Sequence, residues 1–109
     1  MSGYFVLKRS GDEFHFNLKA GNHETILSSQ RYSSKAAAEG GIASVKENGP
    51  QDARYDRLVA KDGSPYFNLK AANGQIIGSS EMYSSTAARE NGINSVKTNA
   101  PIATVRDET

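Results

Sequence analysis

The sequence predicts an α+β fold made of two tandem β3-α-β repeats, which form a single antiparallel sheet with both helices on one face. Two observations predict it. The segment FNLKAGNHETILSSQRYSS, starting at Phe16, returns as FNLKAANGQIIGSSEMYSS, starting at Phe67. Within each copy, the apolar residues first alternate as in a strand and then recur as in a helix. We expect one domain over residues 1–109, with repeats at about 3–54 and 55–107.

The two copies are the product of an internal duplication. Residues 16–50 align with 67–101 without a gap, and 22 of the 35 pairs are identical. The weaker pair Tyr4 and Tyr55 extends the alignment upstream at the same offset. A solenoid or a propeller needs at least three such units. Two units instead predict a monomer that imitates a dimer, in which each copy covers what the other leaves exposed.

The strand that contains the FNLK motif is expected to bury one face and expose the other, since apolar and polar residues alternate along it. Phe16 and Leu18 lie on the predicted buried face. The polar residues of the two copies form the predicted outward face, namely His15, Asn17, Lys19, Tyr66, Asn68 and Lys70. A short apolar segment on each side of this strand completes a three-stranded meander in each repeat.

A helix follows each meander, over 35–48 and 86–99. Serine pairs that end at Ser34 and Ser85 precede the helices, and serine hydroxyls commonly accept hydrogen bonds from the free N–H groups of a first helical turn.

Each helix contains a glycine on its apolar stripe, Gly41 in the first copy and Gly92 in the second. Because a helical glycine costs about 1 kcal/mol relative to alanine, we expect a close approach to the sheet at these positions. Short extended stretches at 53–55 and 103–105 follow the prolines that end the helices and complete the β3-α-β units.

The duplicated motifs resemble those of the YegP-like family of small bacterial tandem-repeat proteins. The resemblance rests on the paired FNLKA, on the helix pattern YSS-x-x-A…E-x-G-I-x-S-V-K and on the closing N-x-P, and it covers nearly the whole chain. It implies a single antiparallel sheet in which the strand after each helix is exchanged into the other repeat. It implies no activity, because the family is uncharacterised and brings no catalytic or binding residues.

Composition excludes several classes of function. Thirteen basic and twelve acidic residues give a net charge of +1, which disfavours a nucleic-acid groove built on charge. The chain has no cysteine, and therefore no disulfide, thiol nucleophile or cysteine-ligated metal. Its first apolar run, Tyr4–Leu7, is too short for a signal peptide or a membrane span. We expect a cytoplasmic protein without membrane contact.

The residues typical of metal or covalent chemistry are better explained structurally. His15 and His23 are not duplicated, since Tyr66 and Gly74 take their places, so we expect no metal and no cofactor. The repeated serines lack a G-x-S-x-G motif, and helix capping and turns account for them.

Glu39 and Glu90 are the only carboxylates repeated in register. They could perform acid–base chemistry if they converged in a cleft, although helix-surface charges are the simpler interpretation. A cryptic enzyme built on this pair is therefore one alternative function.

The leading hypothesis is a non-enzymatic interaction or accessory module of the bacterial cytoplasm. Its working surface would be the outward sheet face, and its partner, of unknown identity, would be a protein or a peptide. Weak binding of nucleic acid or of another anion through the same face is a further alternative, although one tyrosine and one histidine make a poor platform for stacked bases.

Overall fold

A computed structural model describes residues 3–109, which form one seven-stranded sheet and two helices. The strands are β1 (Tyr4–Ser10), β2 (Glu13–Lys19), β3 (Thr25–Ser29), β4 (Tyr55–Val59), β5 (Pro65–Lys70), β6 (Ile76–Ser79) and β7 (Thr104–Asp107). The helices are α1 (Lys35–Asn48) and α2 (Thr86–Asn99). The strand order is β4-β5-β6-β3-β2-β1-β7, so the two meanders meet at β3 and β6 in the centre. The predicted fold class is confirmed.

Both helices begin directly after the serines predicted to cap them, Ser34 and Ser85. The Ser34 hydroxyl accepts a hydrogen bond from the Ala37 amide at 3.1 Å, and the Ser85 hydroxyl accepts one from the Ala88 amide at 3.0 Å. Each bond satisfies an N–H group that has no partner within the helix.

The helices run in opposite directions across one face of the sheet. Helix α1 begins beside β7, where Lys35 pairs with Asp107, and ends beside β4, where the Tyr55 hydroxyl donates to the Gly49 carbonyl at 2.6 Å. Helix α2 ends beside the start of β1, where Asn99 accepts a hydrogen bond from the backbone in front of that strand. The helices therefore share one hydrophobic core. Among residues 3–109, no helix is long and apolar enough to cross a membrane.

The same cluster of three aromatic rings lies under each helix. Its central phenylalanine is fully buried and meets one ring edge to face, with ring centroids 5.6–5.8 Å apart. It also stacks on a tyrosine, with centroids 6.2–6.3 Å apart and planes 10–12° apart. Such pairs stabilise a core by roughly 0.5–1.5 kcal/mol beyond the area they bury. The two clusters are Phe5–Phe16–Tyr32 and Tyr55–Phe67–Tyr83.

The helix glycines make room for the tyrosines of these clusters. A Cβ atom on Gly41 would lie 2.8 Å from Cζ of Tyr32 and 2.9 Å from Cε2 of Phe16. A Cβ atom on Gly92 would lie 2.6 Å from Cζ of Tyr83. These distances are far below van der Waals contact. The predicted close approach is therefore confirmed, and it is made mainly to a tyrosine ring that lies between the helix and the sheet.

The alignment of Tyr4 with Tyr55 is wrong by one residue. Phe5 lies opposite Leu18, and Tyr55 lies opposite Leu69, so Phe5 is the structural counterpart of Tyr55. The cause is the loop after the first strand of each repeat, which is shorter in the first repeat than in the second. A shift of one residue turns a strand over. Tyr4 therefore faces outward, whereas Tyr55 faces the core.

One strand pairing departs from the predicted antiparallel sheet. Strand β7 runs parallel to β1, with Thr104 opposite Tyr4 and Asp107 opposite Leu7, because α2 returns the chain to the end of the sheet where β1 starts. This places the strand after α2 on the first repeat, which is one half of the predicted reciprocal exchange. Residues 53–55 do not form the separate strand that was predicted, because they finish a 3₁₀ turn and run directly into β4.

The seam between the repeats depends on two different residues at equivalent positions. Leu27 on β3 and Gly78 on β6 occupy the same place in the two copies. A Cβ atom on Gly78 would lie 2.9 Å from Cγ of Leu27 and 2.9 Å from the Ser28 carbonyl oxygen. The Leu27 side chain therefore fills the space beside Gly78, and a second leucine at position 78 would overlap it. The seam thus requires different residues at these two equivalent positions.

We predict opposite effects for alanine at the two adjacent glycines of α1. Gly41→Ala should lower the free energy of unfolding by roughly 1–3 kcal/mol, because the new methyl group overlaps two rings. Gly40→Ala is the matched control: nothing lies within 4 Å of its Cβ position, so the gain in helix propensity should raise stability by up to about 1 kcal/mol. Urea unfolding measures both, and a Gly41→Ala protein as stable as the Gly40→Ala protein would contradict this packing.

Candidate functional site

The six polar residues predicted for the outward face lie on it in two separate rows. One row is on β2 and the other on β5, and β3 and β6 run between them. Three strand spacings separate the rows by about 14 Å. The strands between them present Ser28 and Ser79, which are small. The face is therefore a shallow trough between two polar rows, and the six residues do not form one cluster.

Most polar groups of the β5 row already have partners within the protein. The Asn68 side-chain oxygen accepts a hydrogen bond from the Ser79 hydroxyl at 2.7 Å, and the Lys70 ammonium lies 2.9 Å from a carboxylate oxygen of Asp56 on β4. Tyr66 is half-buried beside them. This end of the face is close to electrically neutral.

The β2 row lies in a more positive environment. Burial, followed by the positive charges of Arg31 and Lys8, lowers the pKa of His15 below its ordinary value. The Nδ1 atom of His15 is buried, and within residues 3–109 it has no hydrogen-bond partner. His15 is therefore expected to be neutral near pH 7. Farther along the row, Lys19 lies opposite Tyr4 of β1.

Sequence reasoning missed the residues of β1 and β7 that complete this end of the face. Tyr4 and Val6 point outward, yet they are only 6% and 4% exposed. The Arg106 guanidinium on β7 covers the Tyr4 ring at 4.1 Å, a cation–π contact. The Tyr4 hydroxyl forms a 2.7 Å hydrogen bond with Nδ1 of His23. No local pattern could place Arg106 here, because the placement follows from the strand exchange.

We call Lys8, Lys19 and Arg106, which surround Tyr4 and Val6, the basic patch. In the described part of the chain, none of these three cations forms an ion pair with a carboxylate. The strand register places the backbones of these three residues within about 10 Å of one another perpendicular to the strands and within about 13 Å parallel to them.

His23, at the margin of the basic patch, has an unusual backbone. Its φ of 71° lies in the left-handed region, and in the second repeat the same turn position is occupied by Gly74. A non-glycine residue costs free energy in this conformation. The hydrogen bond between His23 and Tyr4 offsets part of that cost and fixes the tyrosine beneath Arg106.

The repeated glutamates do not converge, so the hypothesis of a shared acid–base pair is wrong. Glu90 receives hydrogen bonds from Arg57 of β4 at 2.9 Å and from Arg89 at 3.3 Å. Burial opposes its charge, but these bonds hold its pKa below the ordinary value. Glu39 lies one turn after Lys35, which pairs with β7. Strands β4 and β7 are the two edges of the sheet, about 29 Å apart.

The repeated serines have structural roles: Ser34 and Ser85 cap the helices as predicted, whereas Ser29 and Ser80 bond to strand amides rather than forming the predicted caps or turns. The Ser29 hydroxyl accepts a hydrogen bond from the Phe16 amide at 2.8 Å and donates to the Gln30 carbonyl at 2.7 Å. Ser80 makes the same pair of bonds in the second repeat, with the Phe67 amide among its partners. These hydroxyls extend the backbone ladder of the sheet.

Comparison with known families identifies both repeats. Residues 9–56 and 60–107 each match the family model described as a domain of unknown function, DUF1508. The chain belongs to the DUF1508 family. A UPF0339 protein of Bordetella pertussis is 68% identical over 109 residues, which covers 100% of this chain and 98% of the relative. The UPF0339 protein YegP of Escherichia coli strain K12 is 57% identical over 110 residues, with complete coverage of both chains.

Solved structures of DUF1508 relatives have the same architecture. The solution NMR structure of YegP from Escherichia coli has a TM-score of 0.94 at 57% identity, covering 100% of this chain and 95% of that one. That of a UPF0339 protein from Shewanella oneidensis has a TM-score of 0.92 at 56% identity, covering 98% and 92%. The predicted YegP-like resemblance is confirmed. Like that resemblance, DUF1508 membership assigns no activity and no site residues.

We predict that His15 titrates below its ordinary pKa of 6.5 in the folded protein, because burial and two neighbouring cations oppose its charge. The folded pKa is lower than the unfolded one, so the unfolded chain binds more protons as the pH falls through this range. Stability should therefore decrease from about pH 7 to about pH 5, and less steeply in a His15→Gln variant.

An NMR titration of the His15 ring measures this pKa directly. The Arg31→Gln variant should raise it toward the ordinary value, because it removes the second cause of the shift. A native His15 that titrates at or above 6.5 would rule out the environment described for the β2 row.

Proposed function

We propose that this protein is a monomeric, non-enzymatic binding module of the bacterial cytoplasm, and that its basic patch binds an acidic segment of a protein partner. The observation that supports this most directly is the concentration of three cations, without ion pairs in the described chain, at one end of the sheet face opposite the helices. At the other end of the same face, Lys70 is neutralised by Asp56.

The fixed geometry of the basic patch favours binding. Arg106 is held by its contact with Tyr4, and Tyr4 is held in turn by its hydrogen bond with His23. A guanidinium that is already ordered loses little conformational entropy when it pairs with a carboxylate, and its planar fork suits bidentate contacts. Along the strand direction, Lys19 lies on one side of Arg106 and Lys8 on the other, and each adds a flexible point charge.

An acidic peptide fits this surface better than a nucleic acid does. Single-stranded nucleic acids bind on exposed aromatic rings as well as on cations. The Tyr4 ring is covered by Arg106, and Tyr66 lies on β5, four strand spacings or about 19 Å from the strand that carries Tyr4. The basic patch therefore offers charge without a stacking surface.

The placement of the carboxylates supports a non-enzymatic role. Glu39 and Glu90 lie near opposite edges of the sheet, and Glu90 is engaged by two arginines. The cytoplasm remains the proposed location, because the matched relatives are bacterial and the chain has no cysteine that would need an oxidising compartment.

The proposal is tested with a fluorescent oligo-glutamate peptide, whose anisotropy reports binding. The native protein should bind it at low ionic strength, and the affinity should fall as salt is added. The double variant Lys19→Glu/Arg106→Glu should lose about tenfold or more in affinity. The matched control is Lys46→Glu/Lys61→Glu, which makes the same change in net charge away from the basic patch and should bind like the native protein.

Two results would contradict the proposal. One is equal loss of peptide binding in both double variants, which would show that only net charge matters. The other is tighter binding of a labelled single-stranded oligonucleotide than of the peptide at the same salt concentration, which would favour a nucleic-acid partner.

A further inference from the structure

A groove of about 570 Å³ lies between the two repeats, away from the outward face. The turn between β2 and β3 forms one wall, and helix α2 with the segment in front of it forms the other. Its volume lies in the range of sites that bind small molecules.

The lining of this groove is acidic and partly apolar. Glu24 comes from the turn and Glu81 from the segment before α2, and among residues 3–109 no lysine, arginine or histidine lines the groove. Met82 and Tyr83 supply apolar surface, and Met82 is 58% exposed. A local excess of negative charge is notable in a chain whose net charge is +1.

The Tyr83 ring lies in the same groove as the two carboxylates, and its hydroxyl responds to their charge. Burial raises the pKa of the Tyr83 hydroxyl, and the negative charges of Glu81 and Glu24 raise it further. Both carboxylates also line the groove itself, Glu24 from the turn between β2 and β3 and Glu81 from the segment before α2. A cation bound in the groove would be attracted to both carboxylates.

The other half of the molecule serves as an internal reference. Gln75 takes the place of Glu24, Gln30 takes the place of Glu81, and Arg31 takes the place of Met82. The cavity that shares its turn and helix with this region is smaller, about 320 Å³, and its lining carries one acidic and one basic residue, Glu47 and Arg54. The duplicated fold alone therefore does not produce an acidic groove. The acidic groove depends on Glu24 and Glu81, whose equivalent positions carry glutamine.

We propose that this groove binds a small organic cation, consisting of a protonated amine on a short apolar body. The ammonium group lies between the carboxylates of Glu24 and Glu81, where charge–charge attraction and hydrogen bonds hold it. The apolar body packs on the Met82 side chain and the Tyr83 ring, whose thioether and aromatic surfaces suit a polarisable, adaptable contact.

The first experiment compares three probes of the same length: hexylammonium, 1-hexanol and hexanoate. Each is titrated into ¹⁵N-labelled protein and followed by the NMR shifts of backbone amides. Hexylammonium should shift the amides of Asn22, Met82 and Asn91, which line the groove, in a saturable manner. The neutral and anionic probes should shift them far less. Equal shifts with 1-hexanol would overturn the assignment, because apolar contact alone would then account for binding.

The second experiment replaces the two groove carboxylates with the residues found at the equivalent positions of the other repeat. The variant Glu24→Gln/Glu81→Gln introduces the side chains that the same fold already carries at the equivalent positions, so it should fold normally. Its dissociation constant for hexylammonium should rise about tenfold or more. The control Asp12→Asn/Glu39→Gln removes two exposed carboxylates elsewhere and should bind as tightly as the native protein. Unchanged affinity in the Glu24→Gln/Glu81→Gln protein would refute the proposal.

The two proposed sites can fail separately. The groove and the basic patch have no residue in common, and the probes carry opposite charge. Loss of peptide binding in the Lys19→Glu/Arg106→Glu protein should leave the hexylammonium shifts unchanged.

Discussion

Each helix packs on strands of both repeats, and this shared packing is the constraint on which the rest of the structure depends. Helix α1 lies on β2 of its own repeat and on β5 and β6 of the other, while α2 lies on β5 and on β3. A unit of about fifty residues with one helix could bury too little apolar surface to stand alone. At the seam, Leu27 occupies space that Gly78 leaves free. The duplicated halves have therefore become complementary rather than identical.

The same packing positions both proposed sites, and each uses a difference between the repeats. Tyr83 fills the space under Gly92 and also lines the acidic groove, so the core and the groove share one side chain. Strand β7 carries Arg106 onto the outward face of the first repeat, and within residues 3–109 no corresponding strand lies outside β4. The repeated residues build the fold, whereas surface residues that differ between the repeats give the two ends different charges.

Much of the fold could be predicted because the duplication repeats each local signal. Serine caps, alternating strand residues and helix glycines occur twice at one offset, and the structure uses them as predicted. The orientation of β1 could not be predicted, because the length of its hairpin loop decides whether Phe5 or Tyr4 faces the core. The six outward residues were placed on the right face. The basic patch and the groove were missed, because both depend on contacts between distant segments.

The most direct test of the shared core divides the chain into fragments 1–54 and 55–109. We predict that neither fragment alone shows cooperative unfolding as a monomer, and that an equimolar mixture recovers the native circular dichroism and a sigmoidal urea transition. Analytical ultracentrifugation should then show a one-to-one complex. If either fragment remained folded, cooperative and monomeric in dilute solution, half of the chain would suffice to enclose a core, and the dependence of each repeat on the other would be contradicted.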